Sequence, residues 1–176
     1  YMVAADTLNS VNIPPTCRFL DVGGGKGTFV GELSKTYPKV DAAVFDLPGS
    51  HPENAEHTCI IGSFKEDELP KGYDVISLVR ILYDHRDKTI ESLLGKVHRA
   101  LGSGGRLIVS EPMLGPDRPS IWGDVYFAIY TLAMRTGKTR SPNQVSDLIK
   151  AAGFVDIKIH KSRRPFITTV VEARKS

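Results

Sequence analysis

A glycine-rich turn at positions 23–27 constrains the fold more than any other feature of the sequence. It follows a short apolar run, Phe19-Leu20-Asp21-Val22, and it leads into a helical pattern that begins at Thr28. Glycine is needed where the backbone adopts positive φ or approaches a ligand closely, and the first N–H groups of a helix face the space above such a turn. The stretch therefore predicts a βα unit with a nucleotide-type cofactor site at the carboxyl end of its strand.

The spacing of the glycines distinguishes between classes of cofactor. A dinucleotide fingerprint, G-x-G-x-x-G, needs a glycine where this chain has Thr28, and a phosphate loop needs Ser or Thr directly after Lys26. The pattern that fits is acidic-x-G-x-G-x-G, formed by Asp21, Gly23, Gly25 and Gly27. A carboxylate beside the turn attracts the sulfonium and ammonium charges of S-adenosylmethionine (SAM) and repels a pyrophosphate. The turn therefore favours SAM over NAD(P).

The composition predicts one globular domain without a specialised environment. At 176 residues the chain can bury a full core, and 41% hydrophobic and 24% charged residues are ordinary values. A net charge of +3, from scattered basic residues, does not indicate nucleic-acid or membrane binding. No apolar run approaches the roughly 20 residues of a membrane span, and two cysteines without C-x-x-C spacing predict a cytoplasmic location.

Apolar runs alternate with helical patterns along the chain, which predicts an α/β fold with a mostly parallel sheet. The predicted strands are residues 18–22, 42–45, 59–62, 73–79 and 106–111. The predicted helices include residues 3–13, 90–101, 121–136 and one that starts at a capping box formed by Ser141 and Gln144. Apolar runs at 154–160 and 166–173 flank a basic turn and predict a closing antiparallel hairpin.

Polar residues follow several predicted strands, at the edge where ligands of open α/β sheets bind. Asp46 ends the second strand, where a carboxylate can accept hydrogen bonds from both hydroxyls of a ribose. Ser63 and Phe64 follow the third strand, and Phe64 either lies against an adenine ring or fills the core. The fourth strand leads into a titratable cluster at residues 80–87, and the fifth ends with Glu111.

These motifs, in this order, resemble class I SAM-dependent methyltransferases, in particular the O-methyltransferase family of plant caffeate-type and melatonin-synthesising enzymes. Asp21-Val22-Gly23-Gly24-Gly25 resembles the SAM loop of that family, and Phe45-Asp46-Leu47-Pro48 resembles its ribose-binding motif. The segment 80–85 stands at the place of its catalytic segment, and Glu111 stands at its strand-five glutamate. Within the family, the stretches that look like bacterial carotenoid hydroxyl methyltransferases, of the hydroxyneurosporene and demethylspheroidene type, are 82–85, 110–113, 123–127, 130–134 and 164–166.

The resemblance implies a three-layer Rossmann-like fold with a seven-stranded, mostly parallel sheet and a C-terminal antiparallel hairpin. Residues 1–176 would form the catalytic domain, with SAM as cofactor and a hydrophobic hydroxyl compound, such as a hydroxycarotenoid, as methyl acceptor. The family's N-terminal dimerisation domain is missing from the sequence, so we expect a homodimer only in a longer protein. The implied cofactor-binding residues are Asp21, Gly23, Gly25, Asp46, Leu47, Ser63, Phe64 and Arg80.

The catalytic segment departs from the family pattern in one important position. Plant members carry His-Asp-Trp with the histidine as base, whereas this chain has Tyr83 at that position and a histidine two residues later, His85. An imidazole has a suitable unperturbed pKa of about 6.5, whereas a phenol titrates near 10. We therefore expect His85 to be the base and Tyr83 to position the substrate, with Asp84 beside them. Glu111 would orient the base or the substrate.

A second departure concerns the adenine site, where Gly62-Ser63 replaces the family's Gly-Asp and removes a carboxylate contact to the adenine amine. An apolar acceptor pocket would be lined by Met113, Trp122, Tyr126, Phe127 and Tyr130, although such residues at helical spacing also form ordinary cores. The histidines at 51, 57, 98 and 160 show no partner spacing, and no metal cluster is visible. The alternatives to a methyltransferase are an NAD(P)-dependent oxidoreductase and a non-catalytic SAM-binding module.

Overall fold

The computed structural model of the chain describes residues 1–52, 55–114, 129, 137–165 and 167–176. Within these ranges, seven strands form one sheet with the order β3-β2-β1-β4-β5-β7-β6. The strands are β1 (Arg18–Val22), β2 (Asp41–Asp46), β3 (Thr58–Ile61), β4 (Tyr73–Val79), β5 (Leu101–Glu111), β6 (Phe154–His160) and β7 (Thr169–Lys175). Neighbouring strands among β1–β5 are parallel, while β7 is antiparallel to β5 and β6. The predicted mostly parallel sheet with its antiparallel hairpin is confirmed.

Helices cover both faces of this sheet, which gives the predicted three layers. The described helices are α1 (Met2–Ser10), α2 (Thr28–Thr36), α3 (Asp87–Ala100), α4 (Pro142–Ala151) and a short 3-10 helix at Leu82–Asp84. Phe19 packs in a core cluster with α1 and α2, and its neighbour Leu20 packs in a second cluster with α3 and α4. Successive residues of a strand point to opposite faces. Both faces are therefore apolar, which explains the continuous apolar runs of the central strands.

The start of α4 follows the predicted capping box. The Ser141 hydroxyl accepts a hydrogen bond from the Gln144 backbone N–H at 3.2 Å, and the Gln144 side chain accepts one from the Ser141 N–H at 2.9 Å. These bonds satisfy two donors that the helix itself leaves unpaired. The buried face of α4, which includes Val145 and Ile149, then packs against the sheet.

Several predicted boundaries are wrong by a few residues. Helix α1 ends at Ser10 rather than at 13, because Val11 is extended with φ −128°. Leu101 begins β5 instead of ending the preceding helix, since it pairs with Tyr73 ahead of a register shift. The last strand starts at Thr169, not at 166. At Leu101 an apolar residue fits a helix face and a strand equally well, so periodicity alone cannot place the end of the element.

Most of the predicted helix at 121–136 lies outside the described residues, and so do Trp122, Tyr126, Phe127 and Tyr130. Among the described helices, none is both long and apolar enough to cross a membrane.

Candidate active site

The glycine turn joins the end of β1 to the start of α2 in the conformation that its sequence predicts. Gly23, Gly25 and Gly27 have φ values of 73°, 55° and 77°, in the left-handed region that favours glycine. Gly24 is required for lack of space rather than for its backbone conformation, because a Cβ there would overlap a carboxylate oxygen of Asp21. At Gly24 there is thus no room for a side chain between the turn and Asp21 of β1.

Asp46 fastens this turn to the end of β2. Its Oδ2 accepts a hydrogen bond from the Gly25 N–H at 2.7 Å. Its Oδ1 accepts one from the Leu47 N–H at 2.6 Å and one from the Ser50 hydroxyl at 3.3 Å. A carboxylate offers about four acceptor positions, so a ribose bound here would compete with part of this network. Asp46 lies at the predicted edge of the sheet, and its contact with a ribose stays a prediction.

Asp21 lies buried beneath the turn with 1% of its surface exposed. Its Oδ1 accepts a hydrogen bond from the Ser77 hydroxyl of β4 at 2.6 Å, while its Oδ2 has no hydrogen-bond partner among the described residues. Burial raises the pKa of Asp21 to about 7; the Ser77 hydrogen bond opposes this shift and the charge of Asp46 adds to it. A cavity of about 140 Å³ opens beside Asp21, Gly23 and Gly24. A cation in this cavity would favour the charged carboxylate.

The loop after β3 places Ser63 and Phe64 near the catalytic segment. The Phe64 ring is half-buried and meets the His85 ring edge-on, with 5.3 Å between the centroids. The Ser63 N–H donates to the carboxylate of Asp67 at 2.8 Å. Asp67 was not among the predicted site residues. Its carboxylate lies in the loop where the family has Gly-Asp and this chain has Gly62-Ser63. The only signal in the sequence is its position four residues after Ser63.

Lys96 of α3 fixes the shape of this loop. Its ammonium group donates to the backbone carbonyls of Phe64 at 3.0 Å and of Asp67 at 2.7 Å. Lys96 is 7% exposed, and a buried ammonium needs such acceptors to offset its desolvation. Lys96 therefore holds the loop from the protein interior, in addition to the bond between Ser63 and Asp67.

Glu111 holds the start of the catalytic segment. Its Oε1 accepts hydrogen bonds from the backbone N–H groups of Ile81 and Leu82, each at 2.7 Å. Burial raises the pKa of Glu111 to about 8, while the backbone hydrogen bonds lower it in part. The carboxyl is 1% exposed, so it acts on the backbone of the segment and lies away from solvent.

Arg80 and Tyr83 form the contact at the end of β4. Arg80 has φ 59°, an unusual value for a residue with a Cβ. Its guanidinium donates to the Tyr83 hydroxyl at 3.3 Å and lies 5.4 Å from the centroid of the Tyr83 ring. A strained backbone at the end of a central strand often marks a functional site, and here it directs the side chain of Arg80 towards that of Tyr83.

Arg140 holds the other end of the segment and was not predicted from the sequence. Its guanidinium donates to the backbone carbonyls of Leu82 and His85, both at 2.9 Å, and pairs with Asp87 at 2.6 Å. The side chain is 3% exposed. Residues 80–87 are thus fastened by Glu111 on their N–H groups and by Arg140 on their carbonyls.

The pKa values of two side chains in the segment, Asp84 and His85, are shifted so that their neutral forms are favoured. Burial, followed by the charges of Lys65 and Arg140, lowers the pKa of His85. Burial also raises the pKa of Asp84, against the opposing charge of Arg80. A neutral imidazole is the form that can accept a proton, so His85 has the protonation state that a base requires.

The predicted acceptor pocket is described only at Met113. This residue is 7% exposed and belongs to the core cluster of α3 and α4, where it lines a small cavity together with Tyr83 and Glu111. Its contact with an acceptor stays a prediction.

The structure also brings together three residues that sequence spacing does not connect. Ligand atoms of His51, His57 and Cys59 all lie within 4.8 Å of one another. The spacing of these residues in the sequence does not indicate the cluster, because only the folded chain places His51 beside His57 and Cys59.

The sheet order, the glycine turn and the fastened segment after β4 together define a Rossmann-like nucleotide-cofactor domain of the methyltransferase type. Residues 1–155 match the family model of the O-methyltransferase domain, and the chain belongs to this family.

Similar proteins agree with this assignment. The chain is 46% identical to demethylspheroidene O-methyltransferase of Rhodobacter capsulatus, over 99% of this chain and 45% of that protein. It is 28% identical to acetylserotonin O-methyltransferase of Gallus gallus, over 89% of this chain and 48% of that protein. The crystal structure of human N-acetylserotonin methyltransferase in complex with SAM matches with a TM-score of 0.87 and 27% identity, over 98% of this chain and 51% of that one. The chain spans about half the length of these relatives.

Proposed function

We propose that this domain binds SAM at the glycine turn and transfers its methyl group to a hydroxyl of a hydrophobic acceptor of the hydroxycarotenoid class. The observation that carries the proposal is the Gly25–Asp46 hydrogen bond, which joins a SAM-type glycine turn to a ribose-type carboxylate at one edge of the sheet. The segment held by Glu111 and Arg140 follows the adjacent strand β4. Cofactor site and candidate catalytic residues are therefore neighbours.

In the proposed complex, the adenosine follows the ends of β2 and β3. Asp46 and Leu47 would contact the ribose, and Ser63 and Phe64 the adenine, with Asp67 as a carboxylate acceptor for the adenine amine. The methionine part would lie above Gly23 and Gly25 next to the buried carboxylate of Asp21. A planar guanidinium suits a carboxylate ligand, so Arg80 would bind the carboxylate of SAM.

Methyl transfer is an in-line displacement in which the acceptor oxygen forms a bond to the methyl carbon as the carbon–sulfur bond breaks. The sulfonium becomes the neutral thioether of S-adenosylhomocysteine (SAH), and the hydroxyl proton must leave. Alignment of the two reactants can supply about 7–11 kcal/mol, and a positioned base adds roughly 10²–10⁴-fold. We assign the base to His85 and the alignment of the hydroxyl to Tyr83.

The surroundings of these residues support this division of roles. Burial lowers the pKa of His85 and keeps its imidazole neutral. Arg80 donates a hydrogen bond to the Tyr83 hydroxyl at 3.3 Å and holds the phenol oxygen at the end of β4, where it would contact the acceptor hydroxyl. Asp84 would support the imidazole from the adjacent position. Glu111 would act through the backbone of the segment and is a positioning residue.

The acceptor class rests on the relatives. Demethylspheroidene O-methyltransferases of two bacteria are 46% and 41% identical to this chain over nearly its whole length. An apolar pocket that includes Met113, Trp122, Tyr126, Phe127 and Tyr130 would suit a polyene. We further propose that the complete protein is a cytoplasmic homodimer that dimerises through an N-terminal domain.

The test is transfer of a labelled methyl group from SAM to a hydroxycarotenoid, with the same carotenoid lacking the hydroxyl as control. Label should appear only in the hydroxylated compound. His85→Gln should lower kcat by about 10²–10⁴-fold, whereas His160→Gln, at the remote hairpin, should not. Equal rates for His85→Gln and the unaltered chain would refute the assignment of the base. SAM binding without transfer to any hydroxyl compound would favour a non-catalytic binding module.

A further inference from the structure

We propose that His51, His57 and Cys59 bind one thiophilic divalent cation, with Zn²⁺ as the best match to the donor set, at the β2–β3 edge of the sheet. One potential ligand atom from each residue lies within 4.8 Å of the other two. None of the three belongs to the proposed cofactor or methyl-transfer residues. The inference therefore does not depend on the methyltransferase function.

The donor set and its size fit zinc. Zn²⁺ binds imidazole nitrogens at about 2.0–2.1 Å and thiolate sulfur at about 2.3 Å, which separates the ligand atoms of a tetrahedral site by roughly 3–4 Å. The three potential ligand atoms lie within 4.8 Å of one another, so small side-chain movements would bring them to these distances. Two imidazoles and one thiolate would leave a fourth position for water, as in sites with three protein ligands.

The imidazoles of this cluster lack the partners that buried polar groups normally have. Both ring nitrogens of His51 and Nε2 of His57 are buried and have no hydrogen-bond partner among the described residues. An unpaired buried polar atom costs about 1–3 kcal/mol. A neutral imidazole offers the lone pair of a ring nitrogen to a metal ion. Coordination of a cation would use these lone pairs.

Two of the three ligands lie where the surrounding structure fixes their position. The His57 ring packs directly on Gly27, where a Cβ would overlap the imidazole. Cys59 lies in β3 opposite Val44 of β2, and its thiol donates to the His57 carbonyl at 3.6 Å. On binding, the thiol proton would go to solvent and the sulfur would bind as thiolate. A bound ion would thus clamp the loop after β2 to the start of β3.

The clamp would lie next to the cofactor loops without forming part of them. His51 follows Ser50, whose hydroxyl bonds to Asp46, and His57 covers Gly27 at the start of α2. The ion would therefore stabilise the edge of the sheet from which Asp46 reaches Gly25. We expect a structural metal whose removal lowers the melting temperature.

The test is a Zn²⁺ titration of the metal-free chain in competition with a chromogenic chelator, followed by the absorption spectrum of the Co²⁺ form. The expected result is one bound ion and a thiolate-to-cobalt charge-transfer band. Cys59→Ser should remove the band and weaken Zn²⁺ binding by at least about 10–100-fold, since even loss of an outer partner has such an effect. His51→Gln should weaken binding in the same way. Cys17→Ser, which removes the other cysteine, should leave both the band and the affinity unchanged.

Circular dichroism and SAH titration of each variant distinguish loss of the ligand from loss of the fold. A folded Cys59→Ser chain that binds Zn²⁺ as tightly as the unaltered chain would overturn the proposal. A Co²⁺ spectrum without a thiolate band would overturn it as well, whatever the outcome for SAH.

Discussion

Replacing Glu111 with Gln should remove a specific part of the pH dependence of stability. Burial raises the pKa of this carboxyl from 4.5 to about 8, so above pH 4.5 the unfolded chain releases a proton that the folded chain retains. The free energy of unfolding must therefore fall as the pH rises from 4.5 to about 8. At about 1.4 kcal/mol per pKa unit, the full pKa shift corresponds to a loss of roughly 4–5 kcal/mol in the free energy of unfolding.

The interval between pH 7 and 8 isolates the contribution of Glu111. Asp21 acts in the same direction, but its pKa rises only to about 7, so most of its effect is complete at that pH. The pKa values of His57 and His85 are lowered from the ordinary value of 6.5, so these residues change the unfolding free energy mainly at pH values below that. Titration of Glu111 should lower the unfolding free energy by about 1 kcal/mol between pH 7 and 8. Glu111→Gln keeps an oxygen acceptor for Ile81 and Leu82 but cannot titrate, so this decrease should disappear.

The assay is urea unfolding of both proteins at half-unit steps from pH 5 to 8.5, followed by circular dichroism. The matched control is Glu66→Gln, which removes an exposed carboxylate and should reproduce the profile of the unaltered chain. Parallel profiles for Glu111→Gln and the unaltered chain between pH 7 and 8 would refute the reasoning. They would mean that Glu111 is already ionised in the folded protein and that its charge is stabilised by its surroundings.

Three further substitutions test individual parts of the structure. Gly24→Ala would place a Cβ against Asp21 and should lower SAH affinity in calorimetry. Gly31→Ala meets open space in α2 and should stabilise the chain by up to about 1 kcal/mol in thermal unfolding. An SAH affinity for Gly24→Ala equal to that of Gly31→Ala would contradict the packing of the turn. Arg140→Met leaves buried carbonyls unpaired and should cost about 2 kcal/mol or more in urea unfolding, and an unchanged midpoint would show that the segment after β4 does not need this clamp. Ser141→Ala removes the capping box and should cost about 1 kcal/mol in the same assay, so an unaffected stability would mean that α4 gains nothing from its cap.

The parts of the fold that the sequence predicts are those that depend on local pattern. The glycine turn follows from a backbone requirement at a few adjacent positions, and the capping box at Ser141 follows from two residues three positions apart. Strands β1 and β4 are recovered with their observed bounds because both are mainly apolar runs, followed by Gly23 and by Arg80 respectively. Boundaries fail where an apolar residue such as Leu101 fits both a helix and a strand.

The parts of the site that the sequence does not predict depend on contacts between distant segments. Arg140 binds the carbonyls of Leu82 and His85, which lie 58 and 55 positions earlier in the chain. The loop in which the Asp67 carboxylate accepts from the Ser63 N–H is also bound by Lys96 of α3, 29 positions after Asp67. Only the folded chain brings His51 beside Cys59. No periodicity or motif in the sequence encodes these contacts.

The most direct test of the account is calorimetric titration of the chain with SAH, with NADH as the control ligand and Asp46→Ala as the control protein. If the glycine turn and Asp46 form a SAM site, SAH should bind and NADH should not. Loss of the Asp46 carboxylate should weaken SAH binding by at least about tenfold, since an interaction worth about 1.4 kcal/mol has this effect. Binding of NADH, or equal SAH affinity in Asp46→Ala, would contradict the assignment of the site.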